Sequence, residues 1–109
     1  MNKSHQLSTN IFYDPMSRII EHRRDNGKPP LFEPIRLMPM ENQLFEMLHE
    51  RYREELSQEE IMKALWRKIK RGSLRDLVCK LNRKLKKTDY LKVYTVRAKT
   101  CRLDRMVQR

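Results

Sequence analysis

The sequence predicts an α+β domain with a small N-terminal antiparallel sheet, a core of three helices and a C-terminal β-hairpin. Two observations carry that expectation. Short β-prone apolar runs occupy the two ends of the chain, whereas from Met38 to Leu85 the apolar residues recur with the 3.6-residue period of a helix. Seven Met and only two Gly in 109 residues favour helices over a loop-rich or all-β design. A chain of this length holds one modest core but not two.

Residues 1–10 carry no periodicity and are expected to be disordered, with the folded domain covering 11–104 and a basic tail at 105–109. Ile11 to Tyr13 is a β-prone run halted by Asp14-Pro15, and Ser17 to His22 resumes with Ile19-Ile20. Asp25-Asn26-Gly27-Lys28 is a turn signal, because Asn-Gly supplies the positive φ of tight hairpins. Pro29 and Pro30 bar a helix, so Phe32 to Leu37 is expected to return as an edge strand.

Pro39 suits a first helical turn and Glu41 the positive end of the helix dipole. Leu44, Met47, Leu48 and Tyr52 then form one stripe of a helix over roughly Met40 to Glu54, with Phe45 on its flank. Ser57 with Glu60 three residues later is a capping box that starts a second helix. This helix buries Ile61, Leu65 and the packing anchor Trp66, and ends in the basic stretch Arg67 to Gly72. Ser73 caps a third helix with Leu74, Leu77/Val78, Leu81 and Leu85 inward. Its other face carries Arg75, Asp76, Cys79, Lys80, Asn82, Arg83, Lys84 and Lys86. Leu91 to Val96 alternates β-branched and aromatic residues, and Cys101 to Leu103 returns beside it around a tip at Arg97 to Thr100.

Charge divides the chain. From Ile61 onward 17 Lys and Arg stand against Asp76, Asp89 and Asp104, a net of +14, whereas the first 60 residues are net −3. Such segregation builds a potential that attracts polyanions, and a phosphate chain rewards many cations at once by releasing counterions. No apolar run approaches the roughly 20 residues that cross a bilayer. The polar N-terminus has no apolar signal segment behind it, so the chain is expected in the cytoplasm, with Cys79 and Cys101 as free thiols. Carboxylates paired in a plausible cleft, a Cys/His ligand cluster, a nucleophile motif and a glycine-rich phosphate loop are all lacking, so neither catalysis, a metal nor a cofactor is expected.

Two helices joined by a short connection, the second basic on its outer face, describe a helix-turn-helix whose later helix fits a major groove roughly 12 Å wide. The terminal hairpin sets Arg97 and Lys99 beside it. At these residues the chain resembles the OmpR/PhoB-type winged helix-turn-helix family from about Tyr13 to Leu103. The likeness lies in Tyr13-Asp14-Pro15 with Ile19-Ile20, in Leu37-Met38-Pro39-Met40-Glu41 with Leu44-Phe45 and Leu48, and above all in Leu56-Ser57-Gln58-Glu59-Glu60-Ile61 through Ala64-Leu65-Trp66. Ser73-Leu74 with Val78, Lys80-Leu81 and Lys84-Leu85 is similar to its recognition helix, and Tyr94-Thr95-Val96-Arg97 with Arg102-Leu103 to its wing.

The resemblance implies a transcription regulator that binds double-stranded DNA, as two copies on direct-repeat half-sites, and that touches RNA polymerase through the loop between its last two helices. The expected contacts are Ser73, Arg75, Asp76, Cys79, Lys80, Arg83, Lys84 and Lys87 on the third helix. Thr95, Arg97 and Lys99 are expected on the wing, with Lys70 and Arg71 in the loop. Asp76 is the odd member, an acid near phosphates that fits there by accepting from a cytosine amino group or by ordering a neighbouring Arg. Ala98, Lys99, Thr100 and Cys101 replace the glycines usual around that wing, and the loop Arg67 to Gly72 is short. With no receiver domain ahead of it, the architecture looks like the cytoplasmic N-terminal part of ToxR- or CadC-like membrane-anchored regulators, or a free-standing relative. Two competing readings stand beside this one. The first is a protein-interaction module with only non-specific nucleic-acid binding, whose acids Glu46, Glu50, Glu54 and Glu55 dock a basic partner, RNA polymerase or the basic half of another copy. The second is an RNA binder that uses Tyr90 and Tyr94.

Overall fold

Turn chemistry, caps and apolar period together set the element order. The computed structural model describes residues 5–8, 10–24, 27–65, 73–96 and 99–106. Strands β1 (His5–Ser8), β2 (Ile11–Asp14), β3 (Ile19–His22) and β4 (Ile35–Arg36) come first, followed by helix α1 (Pro39–Glu50). Then come strand β5 (Leu56–Ser57), helices α2 (Gln58–Leu65) and α3 (Ser73–Leu85), a 3-10 turn over Lys86–Thr88, and strands β6 (Leu91–Val96) and β7 (Thr100–Arg105). The strands form two antiparallel sheets, ordered β1-β2-β3-β4 and β5-β7-β6. The α+β class with three helices is therefore as expected.

Asp14 organises the β2–β3 turn. Its carboxylate accepts from the Met16 amide (3.0 Å) and the Ser17 hydroxyl (2.9 Å), and Arg18 takes a left-handed φ of 61°. These bonds, Ser17 foremost, hold the Asp14 carboxyl below its usual range. The Arg18 carbonyl accepts from the Leu37 amide (2.8 Å), which lays Ile35 against Ile20. Gly27 has the positive φ, 69°, that the turn signal requires, while Asp25 and Asn26 lie outside the described residues.

Five expectations are corrected. His5–Ser8 pairs with β2, so the sheet begins before residue 11. The strand expected over Phe32 to Leu37 is confined to Ile35–Arg36. Phe45 is fully buried rather than on a flank, because the N-terminal sheet covers that side of α1: Tyr13 meets it edge-to-face at 4.7 Å between ring centroids. α1 ends at Glu50, four residues early. Arg53 turns to φ 70° and its amide donates to the Leu103 carbonyl (2.9 Å), bringing Leu56 opposite Cys101 and Ser57 opposite Thr100. That long-range pairing, and not local propensity, stops the helix. Finally, the hairpin is longer than expected. Thr100–Arg105 pairs along all of β6, and the Met106 amide donates to the Tyr90 carbonyl (2.7 Å), so Arg105 belongs to the domain and not to a tail.

The core lies where α1, α3 and the β5-β7-β6 sheet meet. Leu44, Leu48, Ile61, Leu81, Leu85 and Leu103 are fully buried, each worth about 1.5–3 kcal/mol of transfer free energy. The Ser57 hydroxyl accepts from the Glu60 amide (3.1 Å), as the cap requires, but the Glu60 carboxylate turns to Arg51 instead of closing the box.

Tyr13 ties the first sheet to α1. Burial foremost, then Glu46, keeps its phenol protonated far beyond the ordinary range, and it donates to Asn42 Oδ1 (2.6 Å). Tyr13→Phe leaves that amide oxygen without this donor in a half-buried site, and is expected to cost about 1–2 kcal/mol in urea denaturation. A loss below a few tenths would show that water replaces the phenol.

Candidate nucleic-acid interface

α3 divides its side chains sharply. Leu74, Leu77, Val78, Leu81 and Leu85 point into the core, while Arg75, Asp76, Cys79, Lys80 and Arg83 are exposed. Lys86 and Lys87, exposed in the 3-10 turn, continue that stripe beyond the helix end. Among the described residues, Arg75, Lys80, Arg83, Lys86, Lys87 and Lys99 form no ion pair.

Several arginines elsewhere are answered by acids. Arg51 pairs with Glu54 (2.9 Å) and Glu60 (3.5 Å), Arg53 with Asp104 (3.2 Å), and Arg102 with Asp104 (3.5 Å) and Glu55 (4.0 Å). Against the raising effect of burial, the Arg105 amide followed by Arg102 and Arg53 holds the Asp104 carboxyl below its usual range. This network engages Glu54 and Glu55, two of the four acids on which the protein-docking alternative relied.

Lys84 needs correction as an outward contact. Its ammonium turns inward to the Glu41 carboxylate and the Arg36 carbonyl (3.0 Å). Glu41 is buried at the start of α1, where it also accepts the Met38 amide (2.7 Å). A buried carboxylate without a cation is costly, so the core recruits the one lysine of α3 that stands above it. Asn82, placed on the outer face by sequence, also turns inward: its amide donates to the Val93 carbonyl (2.9 Å) and its oxygen accepts from the Val93 amide (2.8 Å).

The neighbouring hairpin presents Thr95 and Lys99 exposed. Arg75, Cys79 and Thr95 come together around one open cleft of about 600 Å³ between α3 and β6, whose floor includes Leu74, Val78 and Cys101. Its edge also holds Lys92 and Gln58, neither expected as a site residue, and Tyr94, expected only in the RNA-binding reading. The two-residue alternation of β6 marked Lys92 and Tyr94 as outward, but nothing local told that α3 lies beside them. Ser73 opens α3, while Arg97, Lys70, Arg71 and Trp66 lie outside the described residues.

The chain matches no family model and no curated protein.

Its aromatic surface is occupied from within. Lys92 and Arg102 stand over the Tyr94 ring at 5.4 and 4.8 Å, and Arg105 over Tyr90 at 5.3 Å. Both tyrosines are therefore engaged by intramolecular cations, which disfavours the stacking of single-stranded bases on them. Cys79 and Cys101 are free thiols, exposed and buried respectively. Among the described residues, no group of three or more His, Cys, Asp or Glu is placed to hold a metal. Nor is any helix there long and apolar enough to cross a membrane.

Proposed function

We propose that this chain is a sequence-specific double-stranded DNA-binding transcription regulator. In this reading α2 and α3 are a helix-turn-helix, α3 lies in the major groove, and the β6–β7 hairpin is a wing against the backbone or minor groove. The observation that carries it is the run of cations on the outward side of α3, continued through Lys86 and Lys87, that form no ion pair among the described residues, while Arg51, Arg53 and Arg102 on the rest of the domain are held by acids. Thirteen residues make a rod of about 20 Å, a size that one major groove accepts. The resemblance to the OmpR/PhoB-type family, motif by motif in the same order, supports the same roles. The place of action is then the cytoplasm, either as a free-standing regulator or as the cytoplasmic part of a membrane-anchored one.

Roles divide along α3. Recognition helices offer their early residues to base edges, which assigns Arg75, Asp76, Cys79 and Lys80 to reading and Arg83, Lys86 and Lys87 to phosphates. Selection of bound duplexes from a random pool tests the reading directly, and the spacing of the selected half-sites gives the number of copies. With six or more phosphate contacts, log affinity is expected to fall against log salt with a slope of roughly −5 or steeper. Lys80→Ala should relax sequence preference, whereas Arg83→Ala should weaken all duplexes alike. Equal affinity of the wild type for every duplex at moderate salt would reject the proposal, and identical behaviour of the two variants would reject the division of roles.

A further inference from the structure

We infer that Asn82 is a positioning residue: its carboxamide holds the outer edge of β6 and so fixes the offset between α3 and the hairpin on which sequence discrimination depends. The inference rests on the DNA-binding reading above.

β6 is an outer strand, with β7 on one side. In an antiparallel ladder alternate residues turn both backbone groups away from the partner strand, and at an edge those groups face whatever lies beyond. At Val93 what lies beyond is Asn82. Its oxygen accepts the Val93 amide at 2.8 Å and its NH2 donates to the Val93 carbonyl at 2.9 Å. A carboxamide pairs one donor with one acceptor in a plane, the same pair a neighbouring strand would present.

Both bonds go to one residue, so sliding α3 along β6 by a single position breaks both together. Apolar contacts such as Val78 packing at the same seam lack this selectivity, because dispersion has little directional preference. Asn82 stands three residues after Cys79 and seven after Arg75, on the flank of α3 that lines the cleft with Thr95. The clamp thus sets where the reading end of α3 lies relative to the hairpin. Lys84, on the opposite flank, anchors α3 to α1 and the Arg36 carbonyl through bonds of its own.

Asn82→Leu is the decisive variant, since it keeps the branched four-atom shape and does not weaken the helix but removes both bonds. Amide hydrogen exchange on the full chain, without DNA, is expected to speed up at least tenfold at Val93, while amides bonded between β6 and β7 keep their rates. In duplex titrations, the ratio of affinity for the selected site to that for a scrambled duplex should fall at least tenfold, with scrambled-duplex affinity within threefold of wild type. In a double-mutant cycle, Lys99→Ala should cost less in the Asn82→Leu background than alone, because a released hairpin already contributes less.

Unchanged exchange at Val93 would overturn the clamp. Faster exchange with an intact affinity ratio would overturn the positioning role and leave Asn82 as a purely structural contact. A wild type that shows no sequence preference would end both this inference and the DNA-binding reading, and the exchange rates, measured without DNA, separate that failure from absence of the clamp.

Discussion

Replacing Lys84 with methionine is expected to destabilise the domain by about 3–5 kcal/mol, the range for stripping one partner from a buried ion pair. Glu41 has a side chain only 4 % exposed, and its partner Lys84 is 29 % exposed. Without the ammonium, that carboxylate keeps the Met38 amide as a donor but loses its compensating cation, while the Arg36 carbonyl loses its ammonium donor. Urea denaturation should show the midpoint falling with an unchanged slope, the sign of a stability change without a change in exposed surface. Adding Glu41→Gln should recover part of the loss, because the neutral amide leaves no uncompensated charge. A cost below about 1 kcal/mol for Lys84→Met would mean that water reaches Glu41, and the account of why Lys84 turns inward would fail.

The second large effect concerns binding. Changing Lys80, Arg83, Lys86 and Lys87 together to Gln should lower affinity for duplex DNA at least a hundredfold at low salt. Each phosphate contact contributes about 0.9 to the slope of log affinity against log salt, so loss of the three phosphate contacts assigned to Arg83, Lys86 and Lys87 should flatten it by about 3. All four side chains lie away from the core, and among the described residues Lys80, Arg83, Lys86 and Lys87 form no ion pair, so the thermal midpoint should hold or rise as repulsion is relieved. That combination separates lost contacts from lost folding. Retention of wild-type affinity and slope in a folded variant would remove α3 from the binding surface.

The three helix starts were legible because their signals are local. Pro39 and the Ser57 hydroxyl under Glu60 each act within about one turn of the chain, the leucine stripe from Leu74 to Leu85 repeats at one-turn spacing, and α3 occupies Ser73–Leu85 as the stripe requires. The end of α1 was not legible. Tyr52 continues the apolar period, but the Arg53 amide finds the Leu103 carbonyl, and only the fold brings that acceptor near. Strand β5, two residues long, was missed for the same reason: its pairing with β7 has no counterpart in local period.

At the candidate site, sequence alone determined the sign and the place of the charge, since a cation on the polar side of an amphipathic helix is fixed by period and side-chain chemistry. What each cation does was decided by tertiary structure. Lys80 and Lys84 are one turn apart on the same helix, yet Lys80 is exposed and ion-pair-free among the described residues while Lys84 closes onto Glu41, 43 residues earlier in the chain. Asn82 and Cys79 likewise share a flank, and Asn82 alone meets the backbone of a strand edge. A polar side chain spends itself inward wherever folding buries an unanswered charge or peptide group beside it, and where folding buries such groups depends on contacts that no stretch of neighbouring residues contains.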